Sequence, residues 1–182
     1  MPPWLFLFML TAGVLFALKI VYVLSTAAVL PFTRGALYVS TSRTRISAFL
    51  DAIPMNPGQV LVDLGCGDGR VLREAYRRYG TRGIGYELNP LAYVRARLQC
   101  IPFRGIRISR ESFWDVSLAE ADIVFCYLFP DVMKRLADKI SKEAAPGMIV
   151  VSANFSLPGF APEHVLRPGN SLHNDPIYIY RL

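Results

Sequence analysis

The chain has 182 residues, 53% of them apolar and 19% charged, with a net charge of +6. That length suits one domain with an appendage, and that composition excludes a disordered tract. The three cysteines, at 66, 100 and 126, are odd in number and lack paired ligand spacing, which excludes a closed disulfide framework and points to a reduced compartment.

From Trp4 to Leu30 the only charged residue is Lys19. Trp4 to Val23 supplies the ~20 apolar residues that cross the hydrocarbon of a bilayer. Lys19 lies within snorkelling reach of one end, and Trp4 and Tyr22 fall at the two interfaces. A cleaved signal peptide needs a basic start and a shorter apolar run, and Met1–Pro3 carry no basic side chain. A hydrophobic helix docked on the domain is the alternative. A single-pass anchor over residues 1–32 is expected, ended by Pro31 and Gly35. No Lys or Arg precedes it, and Arg34, Arg43 and Arg45 follow. The positive-inside rule therefore puts the remaining domain, 33–182, on the cytoplasmic side, or on the matrix side in an organelle.

Beyond the anchor, short β-branched runs alternate with helical patterns. A helix is predicted over Ser42–Ile53, a strand over Val60–Leu64, a helix over Arg70–Tyr79 and a strand over Gly83–Tyr86. A helix opens at Asn89–Pro90, followed by strands at Ile106–Ile108 and Ile123–Leu128. A helix over Asp131–Glu143 and a strand over Met148–Ala153 complete the alternation. His164–Leu166 and Ile177–Arg181 then pair as a closing hairpin. Continuous apolar strands separated by helices indicate a parallel sheet covered on both faces. The expected fold is doubly wound α/β, a mostly parallel seven-stranded sheet with an antiparallel C-terminal edge, preceded by one transmembrane helix. Between Arg70 and Arg110 ten arginines stand against Glu74 and Glu87. They form either a basic face toward anionic headgroups or a solvated helical face. No nucleic-acid recognition motif accompanies them, so nucleic acid is not an expected partner.

Val60-Leu-Val-Asp-Leu-Gly-Cys-Gly-Asp-Gly-Arg70 carries most of the functional signal. Gly65, Gly67 and Gly69 follow a strand and precede a helix, where bare backbone lets a ligand approach. A phosphate-binding loop needs Gly-Lys-Ser/Thr, and Arg70 is followed by Val71. Asp63 and Asp68 would repel a pyrophosphate and suit a cationic ligand with ammonium and sulfonium groups. Glu87 ends the second strand, where a carboxylate can accept both hydroxyls of a ribose.

These elements resemble the class I S-adenosylmethionine-dependent methyltransferases over residues 38–155. Asp63-Leu-Gly-Cys-Gly-Asp-Gly resembles their first motif and Glu87 their ribose-binding acid. The chain is similar, more narrowly, to the membrane-anchored lysine methyltransferases related to the ATP synthase c-subunit enzyme. Tyr38-Val-Ser-Thr-Ser42, Gly85-Tyr-Glu-Leu-Asn-Pro90, Ser112-Phe-Trp114 and Tyr127-Leu-Phe-Pro130 carry that likeness.

The resemblance implies that Asp63, Gly65, Gly67 and Gly69 hold the methionine part of S-adenosylmethionine. Thr41 would lie near its carboxylate, or else serve as the N-cap of the helix after it. Phe113 or Trp114 would stack on adenine. Ser112 stands where the family usually has an acid, with Glu111 or Asp115 as substitutes. Tyr127 would position the nucleophile, or else only pack over the cofactor. The Asn/Asp-Pro-Pro-Tyr element of adenine- and cytosine-amino methyltransferases does not occur here. His164 and His173 are too few for a metal site, and Cys66 reads as a small filler in the loop. The implied acceptor is a lysine of a membrane-associated protein. A lipid or quinone-like molecule, or a non-catalytic cofactor-binding module, is the alternative.

Overall fold

The computed structural model describes residues 2–33, 41–168 and 175–182, with side chains described for 2–24, 41–168 and 175–182. Two compact units result, Met1–Leu37 and Tyr38–Leu182. The first contains one helix, α1 (Pro3–Thr33). Its segment Pro3–Leu24 has a mean hydropathy of 2.3 and is long and apolar enough to cross a membrane. Pro31 does not end α1 as expected, because a proline's φ near −65° is itself helical and removes only one hydrogen bond in a last turn. Gly35 lies outside the described residues.

The second unit alternates strands and helices: α2 (Arg43–Ala52), β1 (Val60–Leu64), α3 (Arg70–Tyr79), β2 (Arg82–Tyr86), α4 (Pro90–Cys100), β3 (Ile106–Ser109), β4 (Ile123–Cys126), α5 (Pro130–Glu143), β5 (Ile149–Ala153), β6 (His164–Leu166) and β7 (Ile177–Arg181). The seven strands lie in the order β3-β2-β1-β4-β5-β7-β6. β3, β2, β1, β4 and β5 pair in parallel, and β7 runs antiparallel to both β5 and β6. The expected sheet and its antiparallel edge are both present. β4 is shorter than expected, because Pro130 begins α5 and draws Tyr127 and Leu128 out of the ladder.

Strand side chains alternate between faces. Leu61 and Phe125 pack with Phe49, Leu72 and Ala96 under α2, α3 and α4. Val62, Leu64 and Val124 pack with Leu136, Ile140 and Tyr180 under α5. The chain reverses its direction of sheet growth between β1 and β4, and the carboxyl ends of those two strands open the crevice where ligands bind in such folds.

Candidate active site

The loop from β1 into α3 lies at that crevice. Gly65, Gly67 and Gly69 all have positive φ, at 82°, 57° and 73°, which explains glycine at every second position. The N–H groups of Gly65 and Cys66 both donate to the Tyr86 carbonyl at 2.9 Å. The Gly67 N–H donates to Glu87 Oε2 at 2.8 Å, and the Asn89 N–H donates to Glu87 Oε1 at 2.8 Å. Glu87 thus joins the glycine loop to the start of α4, whose N-cap is Asn89. Burial raises the Glu87 pKa against the pull of these backbone donors.

Gly85 is a residue whose importance the sequence did not reveal. A β-carbon there would stand 2.7 Å from Cys66 Sγ and 2.9 Å from Ile108 Cδ1. Cys66 is buried over that glycine as the small filler expected, and burial raises its thiol well above the ordinary value.

The two loop aspartates differ. Asp63 is buried and has no ion pair among the described residues. Burial first, then the charges of Glu87 and Asp68, push its carboxyl well above the ordinary aspartate range. Asp68 accepts from Arg70 Nε and Nη2, each at 2.9 Å, and Arg95 lies 3.8 Å away. Burial raises Asp68, but the Arg70 hydrogen bonds and the Arg70 and Arg73 charges outweigh it and the net shift is downward. The expectation that both acids await a cationic ligand is corrected: Arg70 already neutralises Asp68, and Asp63 remains.

Thr41, Asp63, Gly65, Gly67 and Tyr127 line one small cavity of about 20 Å³, with Asp68 and Arg70 in its wall. Thr41 is buried there, and its carbonyl accepts from Arg70 Nη1 at 3.2 Å. The N-cap alternative for Thr41 is overturned: the cap is Ser42, whose hydroxyl accepts from the Arg45 N–H at 3.3 Å. The Arg45 guanidinium sits 4.9 Å over the Tyr127 ring and pairs with Asp175 at 3.5 Å. Arg45 therefore packs on a residue of this lining, whereas the sequence suggested only a charge flanking the anchor. Phe113 and Trp114 are not in this lining. They pack on the α5 side, 4.5 Å apart, with Arg135 at 4.1 Å over the Trp114 ring. The Ser112 hydroxyl accepts from the Trp114 N–H at 3.3 Å. Gly69 backs onto α4, where a β-carbon would meet Cys100 Sγ at 2.9 Å. His164 lies on β6, exposed, and His173 lies outside the described residues.

Residues 63–164 match the family of the ANTKMT methyltransferase domain. The chain belongs to this family. A protein-lysine N-methyltransferase of Saccharolobus islandicus is 30% identical over 148 residues, 79% of this chain and 91% of that protein. The human lysine N-methyltransferase of the ATP synthase c-subunit is 29% identical over 167 residues, 89% of this chain and 71% of that protein. A solved RNA methyltransferase of Salinibacter ruber, in complex with S-adenosyl-L-homocysteine, is 28% identical with a TM-score of 0.72, covering 79% of this chain and 93% of that one. The protein is an S-adenosylmethionine-dependent methyltransferase. The buried Asp63 carboxylate, which has no ion pair among the described residues, fits this cofactor, because the ammonium or sulfonium of S-adenosylmethionine would supply a positive charge beside it.

Proposed function

We propose that this methyltransferase transfers methyl groups to a lysine of a membrane-associated protein and is itself held at the membrane by α1. The observation that carries the lysine acceptor is the likeness to lysine methyltransferases across 79% and 89% of the chain. The apolar segment Pro3–Leu24 supports the anchor. Arg34, Arg43 and Arg45, which follow it, favour a cytoplasmic (or matrix-side) catalytic domain, residues 33–182, after an anchor over residues 1–32.

In this reading Asp63 and the backbone of Gly65, Gly67 and Gly69 hold the methionine part of S-adenosylmethionine, with Thr41 near its carboxylate. Glu87 accepts the ribose hydroxyls with the lone pairs left over from Gly67 and Asn89. Phe113 covers one face of the adenine, and Trp114 packs against Phe113 with its own ring engaged by Arg135. S-adenosylmethionine supplies a methyl already activated on a sulfonium, so the protein needs little acid–base chemistry. Tyr127, held by Arg45, orients the lysine amine in the crevice. Removal from water lowers the pKa of that amine and keeps its lone pair free.

The test is to incubate membranes with the full chain and tritiated S-adenosylmethionine and separate protein, lipid and RNA. Label in protein, recovered as methyl-lysine after hydrolysis, is the expected result. Label confined to lipid or RNA would overturn the acceptor assignment. A reporter fused after Leu182 checks the topology, and release of the protein by alkaline carbonate would exclude the anchor.

A further inference from the structure

Helix α4 is apolar on two faces. Ala96 and Cys100 are buried against the sheet, yet Leu91, Val94, Leu98 and Ile101 are 36%, 49%, 63% and 71% exposed. At about 100° per residue these four fall within an arc of roughly 80° on the side away from the core, with Arg95 and Arg97 about 40° beyond either border. Pro90–Ile101 contains no acidic residue. An apolar stripe rimmed by arginines is the pattern of a helix that lies in the headgroup region of a membrane.

A second feature adjoins the stripe. Between α2, α3 and α4 runs a cleft of about 530 Å³, lined by Arg43, Arg70, Arg73, Arg77 and Arg95 against only Asp68 and Glu74. Both carboxylates are already matched, Asp68 by Arg70 at 2.9 Å and Glu74 by Arg78 at 3.0 Å. Arg43 has no ion pair among the described residues. Arg95 belongs to both features, so the cleft's positive charge lies beside the apolar stripe.

We propose that α4 docks the catalytic domain on an anionic lipid bilayer, with Leu91, Val94, Leu98 and Ile101 in the interface and lipid phosphates in the arginine-lined cleft. The proposal rests on the membrane anchoring read above and adds which face of the domain meets the bilayer. Charge complementarity selects this occupant. A second copy of the chain would bring the flanking arginines of one α4 against those of the other, whereas anionic headgroups neutralise them at every position along the rim. Leu91 follows Glu87 by four residues, so docking through α4 holds the cofactor end of the sheet at the lipid surface.

The test uses the full chain reconstituted into vesicles, with Val94→Cys carrying an environment-sensitive fluorophore. The native cysteines are buried and free, and the unsubstituted chain checks that they stay unlabelled. Asp138→Cys, on α5 across the sheet, is the reference position. In vesicles containing about one-third phosphatidylglycerol, spin-labelled lipids should quench position 94 at least twofold more than position 138. Leu98→Asp should abolish that difference, and so should Arg95→Gln combined with Arg97→Gln, each with an unchanged thermal melt. Equal quenching at both positions would overturn the proposal, as would self-quenching at position 94 without lipid quenching, which indicates a second copy. Flotation scores the anchor separately. A chain that floats with position 94 silent overturns docking alone, and a chain that does not float overturns docking and anchoring together.

Discussion

Glu87 accepts the Gly67 N–H at 2.8 Å, and its other oxygen accepts the Asn89 N–H at the same distance. One carboxylate thus fixes the glycine loop to β2 and opens α4. In the proposed reading its remaining acceptor capacity takes the ribose hydroxyls. Glu87→Ala should therefore weaken S-adenosylhomocysteine binding by about 1.5–3 kcal/mol, the cost of losing charge-assisted hydrogen bonds. Isothermal titration checks this, and an unchanged affinity would remove Glu87 from the cofactor site.

Asp63 predicts a trade of stability against binding. The unfolded chain's aspartate titrates near 3.8 and the folded one well above it, so the folded state holds that proton more tightly. The associated stability is present below 3.8 and is lost as pH rises through the folded pKa. Asp63→Asn removes the buried charge. It should raise the melting temperature of the ligand-free protein at pH 7 by about 2–4 °C, corresponding to about 1 kcal/mol. The gain should vanish on acidification, and cofactor binding should be lost. Melting curves at several pH values, with and without S-adenosylhomocysteine, measure both effects.

Asp68 should behave in the opposite sense. Its carboxyl titrates below 3.8 because Arg70 and Arg73 outweigh burial, so its stabilisation is present above that value and is lost as pH falls through the lower, folded value. Arg70→Ala removes the hydrogen-bonded partner but leaves Arg95 at 3.8 Å, so it should cost about 1.5–3 kcal/mol, the worth of hydrogen bonds to a charged group. Urea unfolding at neutral pH measures that cost, and a loss below about 1 kcal/mol would contradict the pairing.

Gly85→Ala should destabilise by about 1–3 kcal/mol through overpacking against Cys66 and Ile108. Combining it with Cys66→Ala should recover part of that loss, because the closest atom, Cys66 Sγ at 2.7 Å, is then gone. Denaturant unfolding of the two single variants and the double variant supplies the cycle.

The strands and the glycine loop were legible because periodicity and glycine spacing are local. What the sequence concealed depends on distant pairings. Arg45 and Asp175 meet across 130 positions, so Arg45 looked like a flank of the anchor. Asp68 rather than Asp63 takes Arg70 because Asp68 lies in the loop two residues before it, whereas Asp63 is buried within β1. Ser42 displaced Thr41 as cap because its extended backbone, with φ −68° and ψ 154°, leaves the hydroxyl in reach of the Arg45 N–H. Phe113 and Trp114 follow β3 as expected, but their packing toward α5 is a property of the turn and not of the motif. The outward stripe of α4 was hidden because an apolar residue reads alike whether it faces core or solvent.

Tyr127→Phe separates positioning from binding. If the hydroxyl orients the amine, methyl transfer should fall at least about tenfold in kcat, with S-adenosylhomocysteine affinity unchanged. An unaltered kcat would reduce Tyr127 to a packing role over the cavity.

The most direct test of the account compares the full chain with a form lacking residues 1–32, each supplied with S-adenosylmethionine and membranes from cells without the gene. Mass spectrometry of the membrane proteins should show a lysine gaining methyl increments with the full chain. The truncated form should bind cofactor as tightly but methylate that lysine at least about tenfold more slowly, as loss of millimolar effective concentration implies. Equal methylation by both forms, or no lysine gaining methyl mass with either, would contradict the account.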